Sequence, residues 1–181
     1  REVEEILRRV RELIERNRKE VEDWMRRHRR VNEELKRKAR EILERIKEML
    51  KTLKEVLERG RDKREIAERV KKVEKEVEEL LRRLKEEVER LAKESEDVVR
   101  KNNKKDDEVV KELRELLKRV KDDEAAKRIE KLIKESRERN EEVNRKIKKL
   151  IEDTRRVVED VRRKVEELVK RLRTELDRAR K

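Results

Sequence analysis

Apolar side chains recur along this chain at alternating steps of three and four residues, and that spacing constrains the fold more than any other feature. From the N-terminus the seam reads Val3, Leu7, Val10, Ile14, Asn17, Val21, Trp24, His28, Val31 and Leu35, a heptad pattern in which only Asn17 and His28 are polar. A step of four through Ala39 carries it on to Ile42, Ile46, Met49, Leu53 and Val56, a stutter that locally relaxes a left-handed supercoil. Second apolar residues at Ile6, Leu13, Met25, Leu43, Leu50 and Leu57 widen the stripe, as suits a helix with two or more neighbours. Composition excludes the alternatives. With one Gly and no Pro, Phe or Tyr, the chain lacks the turns and aromatic runs of sheets and barrels. Its 61% of charged residues would suit a disordered chain, but a disordered chain keeps no helical period.

Two punctuation points divide the seam. Gly60 can adopt a left-handed C′ conformation at no steric cost, and Asp62 with Glu65 three residues on resembles a capping box. The second seam runs from Ile66 through Val70, Val77, Leu84, Leu91 and Ser95 to Asn102, Asp106, Val109, Leu113 and Val120. Asp122, Asp123 and Glu124 then gather acids where a helix N-terminus favours them. A third seam follows from Ile129 through Ser136, Asn140, Ile147 and Thr154 to Leu176. Helices are expected over about 2–59, 63–120 and 123–180, each of about 59 residues and roughly 88 Å. Short connections make neighbours antiparallel, so residues 1–181 are expected to form a single elongated all-α domain, an up-down-up bundle with coiled-coil packing. Residues 102–107, Asn-Asn-Lys-Lys-Asp-Asp, read either as a break or hinge, or as a polar layer in one continuous helix; the unbroken phase favours the layer.

The polar seam residues form two expected groups. Antiparallel stacking brings Asn17 level with Asn102, Asn103, Asp106 and Asn140, with Asn144 beside that seam. It brings His28 and Asn32 between Ser95 and Thr154. Buried amides persist where they satisfy one another, so these positions are expected to select register and partner number. Trp24 is expected to be a packing anchor. The same stripes would serve a homo-oligomer, a homotrimer above all, where Asn layers are common.

Chemistry is sparse. One His, no Cys and a single Gly supply no nucleophile triad, no phosphate loop and no metal ligand set, so neither catalysis nor a cofactor or small-molecule substrate is expected. The net charge of +13 raises the alternative of a nucleic-acid-binding module. Acidic and basic residues are interleaved, however, and Trp24 is the one aromatic available for stacking, so weak polyanion adsorption is expected in place of specific readout. No stretch is long and apolar enough for a membrane span, no targeting signal is apparent, and location is left open.

Glu, Lys and Arg fill the surface positions, Leu, Ile and Val the cores, and Cys, Phe, Gln, Pro and Tyr are wholly absent. In these respects the whole chain resembles de novo designed helical bundles with buried hydrogen-bond networks. That resemblance implies a structural scaffold, often self-associating or part of a conformational switch, without a natural substrate. A hinge at 102–107 is where such a switch would turn.

Overall fold

The computed structural model describes residues 2–59 and 62–180, the side chains of 179 and 180 excepted. They form three helices, α1 (Glu2–Arg59), α2 (Lys63–Arg119) and α3 (Asp123–Arg180). Gly60, the expected C′ residue, lies outside the described residues. The starts of α2 and α3 are capped alike. Asp62 Oδ1 accepts from Arg64 N at 3.1 Å and Asp122 Oδ1 from Glu124 N at 3.2 Å, each satisfying a donor that a helix start leaves open.

Side-chain pairs report the helix directions. Between α1 and α2, Glu20 pairs with Lys105, His28 with Glu94 and Lys38 with Glu87, so one number rises as the other falls. Between α1 and α3 they rise together, Asn32 with Thr154 and Lys54 with Glu175. The order is therefore up, down, up, and the three helices form a bundle.

Each helix contributes to two compact units: Arg1–Arg30 with Ala92–Ile151, and Val31–Leu91 with Glu152–Lys181. In the second unit one continuous apolar cluster includes Leu35, Ile46, Leu53, Val77, Leu84, Val165 and Leu172. The first unit has two smaller clusters, one around Val10, Leu113 and Ile129 and the other around Val21, Met25 and Ile147. The difference is written in the seams: the second unit draws on long apolar runs, whereas Asn17, Asn102, Asp106, Ser136 and Asn140 interrupt those of the first.

α2 continues through residues 102–107 without a break, and Asn102 and Asp106 are buried there. The seam of α1 departs from the expected phase. Val31 is 45% exposed while Asn32 is 1% exposed, and Met25 is buried where Trp24, half-buried, was expected. The inward residues run 17, 21, 25, 28, 32, 35, 39, 43 and 46, with consecutive steps of four at two places instead of one. A helix of 3.6 residues per turn drifts by about 20° per heptad against a strict 3.5 repeat, so a long straight helix must insert such steps to keep its stripe inward.

Candidate functional site

The polar side chains brought inside the bundle are its chemically distinctive feature. In the first unit the Ser136 hydroxyl donates to Asp106 Oδ1 and Arg137 Nη1 donates to Asp106 Oδ2 at 3.0 Å. Arg137 also reaches Asp107 at 2.7 Å. These bonds, that to Asp107 first, raise the guanidinium pKa above its ordinary value, while burial opposes them. Asp106 is 4% exposed, so it is a buried charge answered by one cation and one hydroxyl.

Beside it, along the α2–α3 edge, Asn103 Oδ1 accepts from Asn140 Nδ2 at 2.7 Å and from Asn144 Nδ2 at 2.9 Å. Asn17 and Asn102 do not join this set. Both line a cavity of about 690 Å³ with Asn140, among walls that include Ile14, Val21, Met25, Val109 and Val143. Among the described residues, Asn17 Oδ1 and Asn102 Nδ2 are buried with no hydrogen-bond partner, as is Asn144 Oδ1. Asn17, Asn102 and Asn140, one from each helix, thus line one space, while the amide–amide bonds from Asn103 to Asn140 and Asn144 link α2 and α3.

The second expected group divides between the units. In the first, buried His28 stacks on Trp24, with ring centroids 3.8 Å apart, and its Nε2 lies 3.9 Å from Glu94 Oε2; Ser95 is buried in the same unit. Trp24 itself packs on the Val21, Met25 and Ile147 cluster. In the second, the Thr154 hydroxyl donates to Asn32 Oδ1, with Thr154 fully buried. Ser136 and Arg137 were not singled out from the sequence. The available signal was Asp106: an acid on a seam requires a donor at the same level, and antiparallel stacking puts 136 and 137 there.

His28 has a testable consequence. Burial first lowers its pKa from the ordinary 6.5, and Glu94 partly opposes this. The unfolded chain therefore binds the proton more readily, so His28's contribution is complete above about pH 6.5 and declines as pH falls through the folded-state value. Relative to the parent, His28→Leu is expected to gain in urea midpoint between pH 7 and pH 5. A difference constant across that range would contradict the assignment.

Among the described residues no three His, Asp or Glu side chains are grouped to hold a metal ion, and no helix is long and apolar enough to cross a membrane. No protein-family model matches the chain, and no curated protein matches it significantly. A solved structure described as a computationally designed three helix bundle is similar over 99% of this chain and 93% of its own, with a TM-score of 0.72 and 22% sequence identity. Helix number, order and packing agree with that likeness: the fold is a three-helix bundle.

Proposed function

We propose that the chain is a designed structural scaffold, without catalytic activity, in which apolar seams supply stability and buried polar contacts select one arrangement of the helices. The carrying observation is the Thr154–Asn32 bond between two side chains that are at most 1% exposed, on α3 and α1. The solved bundle described as computationally designed supports the same reading.

Only three residues separate Arg59 from Lys63 and Arg119 from Asp123, so the connections already hold successive helices near one axial level. Rotation about each axis, and the side on which α3 packs, remain to be chosen. A broad apolar stripe discriminates poorly between these choices. A polar pair discriminates well, because in a wrong arrangement each buried partner would lose its bond, at about 1–3 kcal/mol apiece.

Thr154→Val is accordingly expected to destabilise the protein by about 1–2 kcal/mol in urea denaturation, by leaving Asn32 Oδ1 without that hydroxyl. Adding Asn32→Leu should recover part of the loss, since the carbonyl that the hydroxyl satisfied is removed with it. A double variant as unstable as the sum of two independent losses would count against the pairing. Self-association is not needed to fill the stripes: among the described residues the exposed large hydrophobics are Leu13 and Val31. Light scattering is expected to give the 22.5 kDa of one chain. A trimer mass would overturn the single-chain reading.

A further inference from the structure

We propose that the cavity of the first unit is a binding site for a neutral small molecule carrying a carboxamide or urea group on an apolar body. At about 690 Å³ it falls within the usual size of small-molecule sites, about 300–1,000 Å³. Ile14, Val109 and Val143 give it apolar walls, charged residues of both signs line much of the rest, and the amides of Asn17 and Asn102 carry buried polar atoms without partners among the described residues.

Those two amides are complementary and unmet. Asn102 is 6% exposed, and its Nδ2 has hydrogens to donate but no acceptor among the described residues; Asn17 Oδ1 can accept but has no donor. A carboxamide or urea supplies a carbonyl for the first and an N–H for the second. Ionic ligands are disfavoured. Basic and acidic side chains line the cavity in near balance, so it offers neither sign a strong net attraction, and Asp106 has both carboxylate oxygens engaged by Ser136 and Arg137, so a cation would compete with Arg137. Lys105, also lining the cavity, is paired with Glu20 at 2.7 Å. The site binds without reacting, and it is independent of the scaffold reading.

The test is titration of the full chain with benzamide, ethylbenzene and benzoate, followed by backbone amide NMR. Benzamide is expected to shift resonances of residues 13–25, 102–109 and 136–146 saturably, binding about tenfold more tightly than either other probe, as two added hydrogen bonds imply. Asn102→Leu is expected to cut that preference to about threefold, one of the two bonds being lost, and Asn102→Leu with Asn17→Leu to abolish it; Asn17→Leu alone provides the same reading should the first variant not fold. The proposal is overturned by no saturable shift with any probe, by benzoate binding equal to benzamide, by shifts outside those residues, or by a benzamide preference that survives both substitutions.

Discussion

Removing both partners of Asp106, by Ser136→Ala together with Arg137→Met, is expected to destabilise the protein by about 3–5 kcal/mol. The carboxylate sits 4% exposed on α2, so without those partners it is left buried and unanswered. Arg137→Met alone should cost less, because that side chain is 41% exposed and solvent screens part of its attraction. Adding Asp106→Leu to the double variant should restore most of the stability, since the penalty arises from the stranded charge. Urea denaturation at pH 7 measures all three. A double variant within about 1 kcal/mol of the parent would mean that water reaches Asp106 and that the pairing contributes little.

Ile46→Ala is expected to cost about 2–5 kcal/mol. Ile46 is fully buried in the continuous cluster of the second unit, where Leu43, Leu50 and residues of the other helices enclose it, so truncation leaves a space that rigid neighbours fill only partly. Val31→Ala is the matched control. That residue belongs to the same stripe by spacing alone but is 45% exposed, and its truncation is expected to change stability by less than about 0.5 kcal/mol. Comparable losses at the two positions would refute the shifted seam of α1.

These two residues also mark where the sequence was legible and where it was not. Ile46 was recognisable because a three- and four-step pattern surrounds it on both sides. Val31 and Asn32 were not separable: a strict heptad points Val31 inward, whereas the accumulated drift of a straight helix turns Asn32 in, and one residue of phase is about 100° of rotation. The helix starts were visible in Asp62 and Asp122, because an N-cap is a local bond between a side chain and the backbone two residues on. The polar contacts were legible as levels but not as partners. Stacking arithmetic placed Asn17 beside Asn102 and Asn140, yet rotation decides which amides touch, and here Asn103, at the exposed edge, accepts from Asn140 and Asn144. Arg137 was hidden for a related reason, being one of many surface cations until Asp106 is known to face it.

The central claim is that buried polar side chains choose the arrangement that apolar stripes merely stabilise. Pulsed dipolar spectroscopy tests it directly, with spin labels in pairs at exposed Lys19, Lys104 and Glu138, one on each helix. The parent is expected to give one narrow distance per pair. A variant carrying Asn17→Leu, Asn32→Leu, Asn102→Leu, Asp106→Leu, Ser136→Ala, Asn140→Leu and Thr154→Val is expected to remain helical and at least as stable, but to show a second α1–α3 distance. If that variant keeps the parent's single distances for all three pairs, the polar residues do not select the arrangement and the claim is wrong.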